Sequence, residues 1–148
     1  MIRRSEERGY VLITVAVLLF VILAFAALAV DIGVASSSRT AAQRAADASA
    51  LAGAFTFVNN PIAAQPATAE THAMQTALSN SILGEAIQTG DVTVAVDVAN
   101  QRVTVTITHS QGALFAGAVG ENTVDIGATA VAEASTTATG DRCTKPWF

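Results

Sequence analysis

Residues 10–30 read YVLITVAVLLFVILAFAALAV, 21 consecutive positions without a charge. As a helix this run rises roughly 31 Å, which matches a hydrocarbon core about 30 Å thick. Fourteen of its residues are Val, Leu, Ile or Phe. At roughly −0.3 to −0.6 kcal/mol each near the bilayer centre, they favour insertion by about 6 kcal/mol together. Thr14 is the one strongly polar interior residue, and its hydroxyl can bond back to a carbonyl of its own helix. Asp31 would cost about 2.5–3.5 kcal/mol at the bilayer centre, so it marks the far edge of the span. Arg3, Arg4 and Arg8 flank the near end, and only neutral or acidic residues closely follow the far end. The positive-inside rule then places the N-terminus in the cytoplasm and everything after Asp31 outside it. Tyr10 stands where an interfacial aromatic is expected. A cleaved secretory signal is the rival reading, supported by the small-x-small triplet Ala27-Leu28-Ala29. Against it, the apolar run exceeds the 7–15 residues of an ordinary signal core, and the helical pattern continues past the triplet.

Charge divides along the same line. Residues 1–9 hold three Arg against two Glu, a net of +1, whereas residues 31–148 hold five Lys or Arg against ten Asp or Glu, a net of −5. An acidic exported segment without a basic cluster excludes a nucleic-acid binder, which needs cations to replace counterions. At 148 residues, less the span, there is room for one small domain.

Residues 40–54, TAAQRAADASALAGA, are rich in the best helix former and contain no Pro. They predict a continuation of the membrane helix, after a looser joint at residues 33–38, as one rod ending near Phe57. Ala41, Ala45, Ala48 and Ala52 recur at spacings of four, three and four, a stripe smooth enough for another helix to approach closely. The stripe packs either on the protein's own domain or on neighbouring subunits, and spacing alone leaves both open.

These residues resemble the TadE/TadG-like family of Flp (tight adherence) pilus assembly. The resemblance is carried by Arg8-Gly9 before the span, by Val30-Asp31-Ile32-Gly33 at its exit, and by Arg39 and Gln43. The most specific stretch is Ala45-Ala46-Asp47-Ala48-Ser49-Ala50-Leu51-Ala52-Gly53-Ala54. A looser likeness runs through residues 90–148, where an alternating strand leads to Leu114-Phe115-Ala116 and an Ala-rich strand. The resemblance implies a membrane-anchored minor pilin-like or accessory pilus component, serving adhesion and surface attachment. Its implied partners are membrane lipid and other pilus-assembly or pilin-like subunits. Prepilin-like members carry a Glu five residues after the processing Gly; here that position is Thr14, so cleavage after Gly9 is not expected. The von Willebrand type A domain of larger relatives, with its Asp-x-Ser-x-Ser metal site, has no counterpart, because Ser36-Ser37-Ser38 follow Asp31 at the wrong spacing.

For the exported part, Asn59-Asn60-Pro61 and Gln65-Pro66 predict a loop over residues 58–66, and Pro66 suits the first turn of a second helix. Met74, Ala77, Leu78 and Ile82 give that helix one apolar face through about Leu83. Val92, Val94, Val96 and Val98 alternate as one strand, and Val103, Val105 and Ile107 as another. Ala99-Asn100-Gln101-Arg102 is the hairpin between them. A turn of helix is expected over residues 111–119, then a last strand, Thr123–Glu133, with Val124, Ile126, Ala128, Ala130 and Ala132 on one face. The fold class is α+β, a long N-terminal helix carrying a small antiparallel sheet head, pilin-like in plan. Boundaries follow: a cytoplasmic tail (1–9), a transmembrane helix (10–30), an Ala-rich stalk (31–58), an exported α+β head (59–140) and a C-terminal tail (141–148).

Nothing in the sequence supports catalysis. His72 and His109 lack a His, Cys or carboxylate cluster at ligand spacing; His72 reads as a solvated helix residue and His109 as a loop residue closing the second strand. Gly112, Gly117 and Gly120 lack the strand and the trailing Lys-Ser/Thr of a phosphate loop, and no Ser sits in a nucleophile elbow. No catalytic, metal or cofactor residues, no cofactor and no small-molecule substrate are expected. Cys143, alone in an exported segment, is a free thiol or an intermolecular partner. The ending Cys143-Thr144-Lys145-Pro146-Trp147-Phe148 resembles a stretch that leads into further sequence in longer relatives; Trp147 docked on the sheet is the other reading. The functional alternative to a pilus component is a general envelope protein with an exported partner-binding domain, released if the span is cleaved.

Overall fold

The computed structural model of the chain describes residues 6–59, 66–115, 117, 120 and 122–135. One helix, α1 (Glu6–Asn59), runs for 54 residues, about 80 Å at the standard rise. It continues unbroken through residues 33–38, where a looser joint was expected. Hydroxyls that favour turns when they compete for the backbone are absorbed here by the helix itself: Ser38 and Thr40 each donate to the carbonyl four residues back, Val34 and Ser36, at 3.0 Å.

The second helix, α2 (Pro66–Leu78), starts at the expected proline and buries Ala69, Ala73 and Ala77 at a spacing of four. It ends sooner than its apolar spacing suggests. Asn80 Nδ2 and Ser79 Oγ donate to the Thr76 carbonyl at 2.7 and 2.8 Å, drawing the last turn closed. The chain then reverses in a short hairpin, β1 (Ser81–Ile82) against β2 (Glu85–Ala86). Its two turn residues, Leu83 and Gly84, both have positive φ, 48° and 87°. That is the sense of a primed hairpin turn, built here with Leu where Asn or Asp is usual. Ile82 is therefore buried from a strand, not from the helix.

After a single 3-10 turn (Thr89–Asp91), three strands form an antiparallel meander: β3 (Val92–Asp97), β4 (Arg102–Gly112) and β5 (Thr123–Glu133). β5 has the expected bounds, with Ile126, Ala128 and Ala130 buried and Val124 and Ala132 half-buried against the core. Two edges differ. Arg102 pairs with Asp97, so the turn is residues 98–101, and Val98 is exposed in it rather than continuing the strand. β4 extends to Gly112, so no helical turn begins at Gln111. In the remainder of that segment residues 113–115 are irregular, and residues 116, 118 and 119 lie outside the described residues.

α1 packs on β4, β5 and α2, and α2 packs on β3, so the helices cover one face of the sheet. The core sits between, built from α1 alanines, Phe57, Ile82, Ile87, Val103, Val105, Ile107 and Ile126. The other face of the sheet is open, with Thr129 and Val131 of β5 exposed. β4 runs antiparallel to α1. Phe115 lies beside Asp31, Gln111 beside Ser38, and Val103 beside Gly53. The head therefore stands along the second half of the helix.

Candidate functional site

The first candidate surface is the apolar half of α1. Tyr10, Leu12, Phe20 and Phe25 are among its most exposed side chains, and the most apolar 18-residue window of the helix has none of its residues buried. A helix that is apolar all round must be covered by a core or by lipid, and among the described residues no part of the head buries this one. Thr14 Oγ1 donates to the Tyr10 carbonyl at 2.9 Å, so the one polar side chain in the run is satisfied within the helix. Length, composition and bareness together fit a membrane anchor.

The second surface is the Ala-rich half. Ala42, Ala45, Ala46, Ser49, Ala50, Gly53, Ala54 and Phe57 face the head and are buried. Small residues there let α2 and the sheet approach the helix axis. Gly53 is the extreme case, since a Cβ at that position would lie 2.9 Å from Val103 Cγ1, 3.1 Å from the Ala69 carbonyl oxygen and 3.2 Å from Ala73 Cβ. Ser49 is fully buried and donates to the Ala45 carbonyl at 2.6 Å. Gln43 Nε2 bridges outward, donating to Asp47 Oδ1 at 2.9 Å and to the Thr129 carbonyl of β5 at 3.3 Å. At the head's other end the Phe115 N–H donates to both Asp31 carboxylate oxygens, at 3.2 and 3.1 Å.

The stripe of Ala41, Ala45, Ala48 and Ala52 is thereby divided. Ala45 is only 1% exposed, inside the core of its own domain. Ala41 and Ala52 lie half-buried on the flank, and Ala48 faces solvent. Ala48 shares its exposed side with Leu51 and Phe55, three and seven residues on, and both of these are exposed apolar side chains. Sequence reasoning overlooked these two. Their signal was present, because two large apolar residues stand on the side of the helix opposite the alanines that face the head. Cys143 lies outside the described residues.

Residues 9–59 match the family model of putative Flp pilus-assembly TadE/G-like proteins. The N-terminal third of the chain is TadE/G-like. The match is to a putative Flp pilus-assembly family, and it falls wholly on α1. No curated protein and no solved structure matches. In this TadE/G-like segment, Asp31, Gln43, Ser49 and Gly53 are among the residues that couple the helix to its own head, by a carboxylate, an amide, a buried hydroxyl and an absent side chain. The segment carries both the bare apolar run and the seat of the head.

His72 is exposed on α2. His109 is not the loop residue expected. It is the fourth inward residue of β4, after Val103, Val105 and Ile107, and is 5% exposed. Its Nδ1 faces Asp91 Oδ2 at 3.3 Å, and its Nε2 stands 3.5 Å from Glu85 Oε2, beyond hydrogen-bonding reach. The ring thus ties β4 to the 3-10 turn and faces the β1–β2 hairpin without bonding to it. Among the described residues, no group of three or more His, Cys, Asp or Glu side chains is placed to hold a metal ion.

Proposed function

We propose that this protein is a non-enzymatic, minor pilin-like or accessory subunit of a Flp/Tad-type pilus serving adhesion. It is held in the cytoplasmic membrane by residues 10–30, with the N-terminus inside and the α+β head exported. The observation that carries this reading is the placement of the TadE/G-like match, residues 9–59, on one continuous helix that is bare over its apolar half and carries the head on its other half. A pilin-like subunit needs such a helix, since the anchor and the surface offered to neighbours lie on the same rod. The partner surface is the outward side of the stalk, Ala48, Leu51 and Phe55 with the half-buried Ala41 and Ala52 at its flank. Ala45 supports that surface from inside the core.

The test is Ala48→Leu, because a leucine at an exposed helix position does not disturb the head. Protein level and membrane insertion should be unchanged, whereas co-purification with other pilus-assembly proteins and the number of assembled pili should fall. Wild-type pili and undiminished co-purification in Ala48→Leu and in a Phe55→Ser variant would remove the stalk as a partner surface.

A further inference from the structure

At the head's open end β4 and β5 give way to a loop whose first residues are Ala113, Leu114 and Phe115. The Ala113 N–H donates to the Asn122 carbonyl at 3.0 Å, which closes the base of the loop. Leu114 and Phe115 are then 63% and 51% exposed, two large apolar side chains consecutive in the chain. Their position is set by the Phe115 N–H, which is held by both oxygens of Asp31. Asp31 is the first charged residue after the 21 uncharged ones, and its cost in hydrocarbon puts it at the bilayer edge. The bond to Asp31 therefore sets the loop at the height of the membrane surface, where Ala113 and Leu114 line a small cleft with Asp31, Val34 and Ala35 of α1.

We propose that Leu114 and Phe115 enter the outer lipid interface, so that the head is seated on the bilayer at a second point besides its helix. The proposal rests on the membrane-anchor reading and adds a contact that the anchor alone does not require. Amphipathic elements that lie on membranes bury their apolar side chains roughly 5–10 Å into the headgroup and acyl boundary. A loop whose backbone is fixed at the edge of the span is within that reach. The opposite end of the sheet provides the contrast. The β3–β4 turn, with Val98 exposed, lies at the other end of β4, about 35 Å away by strand rise. A helix free to carry its head clear of the membrane would leave both ends in water, whereas a seated head wets only the distal end.

The experiment uses the full chain in phosphatidylcholine vesicles, a zwitterionic lipid that does not repel the acidic head. Trp147 is the only tryptophan and is changed to Phe throughout, so that each introduced tryptophan reports alone. Leu114→Trp, Phe115→Trp, Val98→Trp and Phe20→Trp are compared by emission maximum and by quenching with lipids brominated at known depths. Tryptophan at 114 and at 115 should be blue-shifted and quenched most by shallow bromines, tryptophan at 98 should stay unquenched with a water-like emission, and tryptophan at 20 should be quenched most by deep bromines. If 114 and 115 both emit as in water while 20 is quenched, the anchor holds and the seating proposal is overturned. If 20 is also unquenched, the anchor reading itself fails, and the proposal with it.

Discussion

Gly53 separates two opposed effects of a single methyl group. In an isolated helix, Gly→Ala is stabilising by about 1 kcal/mol. Here the new Cβ would meet a valine methyl at 2.9 Å and a backbone carbonyl at 3.1 Å, and the carbonyl cannot move without shifting α2. Overpacking of this kind costs about 1–3 kcal/mol. Gly53→Ala is therefore expected to destabilise the head, read as a lower urea midpoint of the chain in detergent micelles; a raised midpoint would show that α2 can yield. A second residue effect concerns pH. Asp97 is held below the ordinary carboxylate value, first by the Asn100 side-chain amide at 2.7 Å and then by the Asn100 backbone N–H at 3.2 Å. A depressed carboxyl contributes stability above its unfolded pKa and loses it as pH falls through the folded one. Protection of the Asn100 amide against hydrogen exchange should thus decline below about pH 4, the ordinary Asp value, after correction for intrinsic rates. Asp97→Asn should flatten that dependence.

At the scale of the elements, α1 has two sides with different duties. Ala45 and Ala48 are three residues apart, of one type and equally helix-favouring, yet one is core and the other is surface. Ala45→Leu is expected to cost about 1–3 kcal/mol through displaced backbone and strained rotamers, visible as reduced protein level and earlier thermal unfolding. Ala48→Leu should leave both unchanged. Equal stability losses in the two would mean that the stalk's outward side is covered within the same chain. α2 shows the limit of periodicity as a guide. Met74, Ala77, Leu78 and Ile82 fit one helical face, and Ile82 is indeed buried, but through a hairpin whose Leu83 adopts a left-handed conformation. Leu78, expected on the same face, is exposed at the end of α2, so apolar spacing neither places every residue inward nor tells how the backbone brings it there.

For the whole molecule, the arrangement of charge around residues 10–30 makes a topological prediction. Reporter fusions after Ala54 should be active only outside the cytoplasm, and a cytoplasmic signal there would reverse the orientation. The same span bears on processing. Thr14 stands where prepilin-like relatives carry Glu, so the intact mass of membrane-extracted protein should include the residues before Tyr10. A mature start at Tyr10 would mean that the hydroxyl suffices for the peptidase, and a start at Val30 would favour the released envelope protein instead.

The strongest one-dimensional patterns were legible without any structure. The uncharged run, the Ala-rich continuation with its TadE/TadG-like residues, and the Val/Thr alternation of β3 to β5 each repeat with the period of one element, and period is a local property of the chain. Even His109 left a trace, because Thr104, Thr106, Thr108 and Ser110 keep the outward alternation going past Ile107 and so carry β4 onward. What a chain read in one dimension does not contain is which side of a uniformly small-residue helix meets another element. Ala45 and Ala48 differ only in what lies opposite them, and the exposed pair Leu114 and Phe115 acquires its position from a carboxylate 84 residues earlier. Those assignments depend on contacts between distant segments, so the tertiary structure alone decided them.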